Sequence, residues 1–173
     1  GCGEAIAGRF AEAGCEAGVL QHLPIETDRV EGVIHDRRVA AVTLTGSEGA
    51  GRAVGRAAGE ALTPSLLELG GTDAFVVLAD ADLDRAVEVG VQARVQNNGQ
   101  SCIAAKRFLL EAPIAEAFTE AFTERMRRLT VGDPMTGVDL GPLARADLRA
   151  EVHDQVERSV AAGARLEAGG AVP

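Results

Sequence analysis

The stretch from residue 39 to residue 64 constrains the fold most. Val39-Ala40-Ala41-Val42-Thr43-Leu44 is a short apolar run that reads as a buried strand. Thr45-Gly46-Ser47 then turns the chain, Ser47 is placed to cap a helix running to about Leu62, and Pro64 closes the segment. Along that helix Gly51, Gly55, Ala58 and Gly59 fall to one side, so it can lie unusually close to a neighbouring element. Composition points the same way. With no Trp, no Tyr and five Phe, a chain that is 46% hydrophobic must build its core from Ala, Val and Leu, which suits helices laid closely on a sheet.

The remaining elements repeat the theme. Residues 3–13 are Ala-rich and helical, with Gly14 as C-cap, Val19 and Leu20 begin a short extended stretch, and Asp28 caps a second helix through Ile34. Leu66 to Leu69 and Ala74 to Leu78 read as two strands joined by the turn Gly70-Gly71-Thr72-Asp73. Asp82 caps a helix with Leu83, Val87, Val91 and Val95 on one face, ending near Asn97-Asn98-Gly99. A strand over 107–110 precedes a helix that opens at Pro113 and carries Ile114, Phe118, Phe122 and Met126 on one face. Leu148, Val152, Val156 and Val160 mark a last long helix ended by Gly163. Strands alternating with amphipathic helices imply a mainly parallel α/β arrangement, without internal repeats.

At 173 residues there is room for one ordinary domain or parts of two. The formal charge of −9, from 26 acidic and 17 basic residues, argues against nucleic acid or an anionic membrane as partner. Cys2, Cys15 and Cys102 lack metal-like spacing, no apolar run approaches a bilayer span, and a reduced, cytoplasmic setting is the simplest reading. No metal is expected. Gly1-Cys2-Gly3-Glu4 has neither an initiator Met nor the regions of a signal peptide, so the chain reads as a piece of a longer one.

Candidate chemistry gathers at three places. Cys2 and Cys15 read as small buried hydrophobes, the usual fate of a free thiol. Cys102 differs, because Asn97-Asn98-Gly99-Gln100-Ser101 precedes it in a polar turn after a helix, where substrate can reach a thiol and backbone N–H groups can polarise it. Glu68 sits between Leu66-Leu67 and Leu69; partial burial there would raise its pKa and suit it to general-base work, and an ion pair with an arginine is the competing reading. Gly46 and Ser47 offer free N–H groups and a hydroxyl at a strand-to-helix junction, which favours phosphate oxygens, though Ser47 serves equally well as a plain cap. His22, His35 and His153 are scattered surface histidines, which gives a Cys–His hydrolase little support.

Taken jointly, Leu44-Thr45-Gly46-Ser47, Glu68-Leu69-Gly70-Gly71 and Asn98-Gly99-Gln100-Ser101-Cys102 closely resemble the aldehyde dehydrogenase superfamily in type, order and spacing. The run from Gln96 to Phe108, with Gly132-Asp133-Pro134 and Gly141-Pro142-Leu143 downstream, looks most like bacterial succinate-semialdehyde dehydrogenases. The resemblance implies an aldehyde dehydrogenase-like fold, mainly parallel three-layer α/β, truncated at both ends. Residues 1–70 would be the C-terminal part of an NAD(P)-binding Rossmann-like domain and 71–173 the N-terminal part of a catalytic domain. It further implies Cys102 as the nucleophile that carries the acyl group as a thioester, Glu68 as the base that activates water, Gly46 and Ser47 near the diphosphate of NAD or NADP, and Leu69 touching the nicotinamide side through its backbone.

An aldehyde, foremost succinate semialdehyde, would be the substrate, and the full-length protein would be a homo-oligomer. The family's oxyanion-stabilising Asn and further ribose contacts fall outside these residues, so the isolated chain is expected to be inactive. Gln96 stands where many succinate-semialdehyde enzymes place an Arg. A truncated non-catalytic remnant and a Cys-dependent hydrolase are the alternatives.

Overall fold

Two parallel strand pairs, each with its own helices, organise the chain in a computed structural model that describes residues 1–171. They belong to two compact units, Gly1–Leu69 and a second beginning at Gly70.

In the first unit, helix α1 (Cys2–Glu12) gives way at Gly14, whose φ of +84° is the left-handed value that glycine adopts without a steric cost. A single 3-10 turn at Thr27–Arg29 runs into the short helix α2 (Val30–Ile34). Asp28 therefore lies inside the turn, and Glu26 holds the position before it, where the sequence predicts Asp28 as the cap. Strand β1 (Val42–Thr45), helix α3 (Glu48–Ala61) and strand β2 (Ser65–Glu68) complete the unit. The strands pair in parallel, from Val42 opposite Ser65 to Thr45 opposite Glu68.

The close approach predicted for α3 is present. A Cβ added to Gly51 would lie 2.6 Å from Leu69 Cδ2, and one on Gly55 would lie 3.3 Å from Leu67 Cδ1. Ala58 is buried beside Ala57 and Ile34 in the unit's small core. Gly59 departs from the expectation, since nothing lies within 4 Å of the place its Cβ would take. Adjacent helical residues point about 100° apart, so with Ala58 facing the core Gly59 must turn outward.

Two further expectations fail here. The strand predicted over 39–44 begins only at Val42 and alternates half-buried with exposed residues, because helix covers one face of a two-stranded sheet rather than both. Val19 and Leu20 form a bend, not a strand, and both are exposed. Cys2 and Cys15, predicted to be buried, are exposed as well; α1 buries none of its residues, so the thiols beside it find no apolar pocket.

In the second unit, strand β3 (Ala74–Val77), helix α4 (Leu83–Val95), strand β4 (Arg107–Leu110) and helix α5 (Ala112–Arg127) form a second parallel pair with two packed helices. The strands β2 and β3 are not partners across the Gly70-Gly71 turn: each pairs with a strand of its own unit. Asp82 caps α4, accepting from the Arg85 N–H at 3.0 Å.

Val77, Val87, Ile114 and Phe118 make the core. Phe75, Phe108 and Phe122 pack against it and, with Phe118, form a run of rings whose neighbouring centroids are 4.9 to 6.1 Å apart, so the scarce aromatics are concentrated in one cluster rather than replaced by Ala, Val and Leu. Gly90 lets α4 seat on Phe108, Phe118 and Phe122; a Cβ there would already be 3.3 Å from Phe108. Helix α6 (Ala146–Ala161) buries nothing, and its Val152, Val156 and Val160 line a cavity of about 810 Å³ shared with Val95, Met126 and Leu143. No helix among the described residues is long and apolar enough to cross a membrane.

Candidate active site

Four of the predicted site residues meet at the carboxyl ends of β1 and β2, the edge of an open α/β sheet where ligands bind. Gly46 prolongs the ladder, its N–H donating to the Glu68 carbonyl at 3.0 Å. Ser47 follows in extended conformation and accepts from the Ala50 N–H at 3.3 Å, which starts the 14-residue helix α3. Ser47 is thus a helix cap whatever else it does. Gly46 is exposed, and a Cβ there would meet Leu44 Cδ1 at 3.6 Å, an ordinary contact, so space remains in front of the helix start. Exposed glycine backbone beside unpaired helix N–H groups fits a phosphate of a dinucleotide. Leu69 lies half-buried with its side chain against Gly51, fixing the backbone that follows Glu68.

Glu68 corrects the sequence reading. Its side chain is exposed, and among the described residues it makes no ion pair. Strand side chains alternate between faces. Leu67 and Leu69 take the face toward α3, against Gly55 and Gly51, so Glu68 and Leu66 take the other. Apolar neighbours in sequence do not bury a strand residue that points to the open face.

Cys102 occupies a loop of the second unit with a distinctive backbone. Asn97, Asn98 and Gly99 have φ of 51°, 56° and 74°, three consecutive left-handed residues that reverse the chain at the end of α4. Two asparagines and a glycine tolerate this better than any other residues would. Cys102 itself is exposed, and Gly71 lies against its carbonyl oxygen, 3.8 Å from where a Cβ would stand.

Side chains that the motif reading did not single out hold this loop. Arg94 donates from Nη1 to the Ala105 carbonyl and from Nη2 to the Gly99 carbonyl, both at 2.6 Å. Burial pushes its guanidinium below the usual range. Lys106 Nζ reaches the carbonyls of Ser101, Cys102 and Ala104 at 3.2, 2.9 and 3.2 Å.

The downstream run Gly141-Pro142-Leu143 docks on the same loop. Asn98 Oδ1 accepts from the Gly141 N–H at 3.0 Å, Asn98 Nδ2 donates to the Pro142 carbonyl at 3.3 Å, and Gln100 Oε1 accepts from the Ala144 N–H at 2.9 Å. Signals for these roles were faint: a lone arginine on a helix reads as a solvated charge until its acceptors are known.

Elsewhere in the first unit, Glu31, His35 and Glu60 bring ligand atoms within 4.8 Å of one another. Arg56 supplies the positive charge between them, at 2.7 Å from Glu31 and 2.9 Å from Glu60, and its hydrogen bond lowers the Glu31 pKa. His35 Nε2 lies 3.2 Å from the Ala57 carbonyl. The group is an exposed ion-pair network.

The fold has close counterparts. The aldehyde dehydrogenase family model matches residues 1–173, and the chain belongs to that family. It is 52% identical over 171 residues to a succinate semialdehyde dehydrogenase [NAD(P)+] of Escherichia coli, covering 98% of this chain and 37% of that protein. A succinate-semialdehyde dehydrogenase [NADP(+)] of Mycobacterium ulcerans is 51% identical, over 95% of the chain and 36% of its own length. Among solved structures, succinic semialdehyde dehydrogenase from Streptococcus pyogenes, in complex with NADP+, superposes with a TM-score of 0.95 at 39% identity, covering 99% of this chain and 38% of that one. The chain thus spans little more than a third of the length of these relatives, and its α/β fold is theirs.

Proposed function

We propose that these residues form part of an NAD(P)-dependent aldehyde dehydrogenase that oxidises succinate semialdehyde to the acid. The observation that carries the reading is Cys102, an exposed thiol on a loop locked by left-handed residues and by the Arg94 and Lys106 clamps. Such a loop presents sulfur to a substrate without burying it and spends no energy on ordering at the moment of reaction. Residues 1–70 serve as the closing part of the cofactor domain and 71–173 as the opening part of the catalytic domain.

Cys102 adds to the aldehyde carbon to give a thiohemiacetal, and loss of hydride leaves a thioester on its sulfur. Gly46 and Ser47 would hold the diphosphate of NAD or NADP and the backbone at Leu69 its nicotinamide side, and the bound cofactor would supply the hydride acceptor. Glu68 takes a proton from the water that hydrolyses the thioester, which frees the acid and restores the thiol. Its exposed position on the open face of β2 leaves the carboxylate reachable by that water. Support for succinate semialdehyde comes from the relatives at about half identity, whose names specify it.

The test uses the full-length protein. Iodoacetamide labelling read by mass spectrometry should find Cys102 reacting faster than Cys2 and Cys15, and Cys102→Ala should abolish reduced-cofactor formation with succinate semialdehyde. Since all three thiols are exposed in this structure, access alone does not explain a difference. Turnover that survives Cys102→Ala would sink the nucleophile assignment.

A further inference from the structure

We infer that Arg94 is a positioning residue for the Cys102 loop, its guanidinium tying the loop's two flanks together so that the thiol between them is held in one place. The inference rests on Cys102 being the nucleophile. Its geometric basis is independent of that assignment. The two flank acceptors, Gly99 and Ala105, each stand three residues from Cys102, and one planar fork reaches both carbonyls at 2.6 Å.

Several details single this contact out. Arg94 has no carboxylate partner among the described residues, so its bonding is given to loop carbonyls. The site is also built for it. A Cβ at Gly99 would stand 2.8 Å from Arg94 Nη2, so only glycine admits the guanidinium this close, and the φ of +74° there favours glycine again. The backbone adds a third tie beside the fork, the Ala105 N–H donating to the Ala93 carbonyl at 3.0 Å. Arg94 extends from the last turn of α4, a helix seated on the phenylalanine cluster, so the clamp refers the loop to the unit's core.

A lysine could not do the same. Its ammonium is a single point of charge on a flexible stem, whereas the fork fixes two acceptors at a set separation. Lys106 contacts the loop from within, on the carbonyls of Ser101, Cys102 and Ala104, and closes none of the distance between the flanks.

The experiment compares Arg94→Met, Arg94→Lys and Arg94→Ala in the full-length enzyme. With Arg94→Met, the rate of Cys102 alkylation by iodoacetamide and kcat should both fall, kcat by about 10²-fold, the usual consequence of a displacement on the order of 1 Å at a reacting group. The dissociation constant of NADP should not move. Arg94→Lys should recover part of the loss, and free guanidinium at low millimolar concentration should raise the alkylation rate of Arg94→Ala but not that of the wild type. If Arg94→Met does not fold, Arg94→Lys carries the same readouts.

Wild-type alkylation and turnover in Arg94→Met would overturn the inference. So would losses that follow the fall in Tm and respond to neither lysine nor guanidinium, since those describe a structural residue only. Failure of the underlying reading shows separately, as a Cys102→Ala enzyme that still turns over.

Discussion

At the scale of single residues, Glu68 shows how one side chain's surroundings decide its chemistry. A carboxylate between leucines in sequence reads as buried, yet the alternation along β2 puts Leu67 against α3 and leaves Glu68 on the open face. Its proposed work is therefore done from the open face of the strand. Glu68→Gln in the full-length enzyme should keep a pre-steady-state burst of reduced cofactor while steady turnover slows by about 10²–10⁴-fold, the typical worth of a general base. Rapid-mixing absorbance at the reduced-cofactor band measures both phases; a variant that loses the burst while hydrolysing a supplied thioester at the normal rate would reverse the roles. Ser47 was legible as a cap from its place before a small-residue helix, because capping is a local hydrogen bond to Ala50. Arg94 was not, since its acceptors lie up to 11 residues away across a loop whose path sequence does not reveal.

At the scale of elements, helix α3 and strand β2 met as their small residues foretold, through Gly51 and Gly55. The segment that follows α5 is less obvious. Asp139 accepts from both the N–H and the hydroxyl of Thr130 at 2.7 Å, and Val131 bridges Leu140, so the chain doubles back and presents Gly141 to Asn98. Those hydrogen bonds hold the Asp139 carboxyl below its usual range. A depressed folded-state pKa means that the contribution to stability is present above the ordinary aspartate value of about 3.9 and disappears as pH falls through the lower folded value. Asp139→Ala should therefore lower Tm at pH 7, with the gap to wild type narrowing below about pH 4. Thermal melts of the full-length protein across that range provide the check, and a gap independent of pH would remove the ionised carboxylate as its cause.

At the scale of the whole molecule, each sheet has two strands, and apolar side chains crowd faces that no described element covers, among them Leu66 at 60% and Val76 at 59% exposure. Relatives nearly three times as long share this fold over the matched region. Residues 1–173 expressed alone should accordingly bind a hydrophobic dye more strongly than the full-length protein and form no reduced cofactor with succinate semialdehyde. Weak dye binding together with turnover would show that these residues suffice. Sequence by itself determined the parallel α/β alternation, the caps at Ser47 and Asp82 and the glycine face of α3, because periodicity and capping are set by neighbours a few residues apart. It determined the family too, through three short motifs in fixed order. Only the tertiary structure decided which strands pair, that Glu68 faces outward, that three phenylalanines gather on Gly90, and that Arg94 and the 141–144 segment grip the Cys102 loop, because each depends on contacts between residues that only folding brings together.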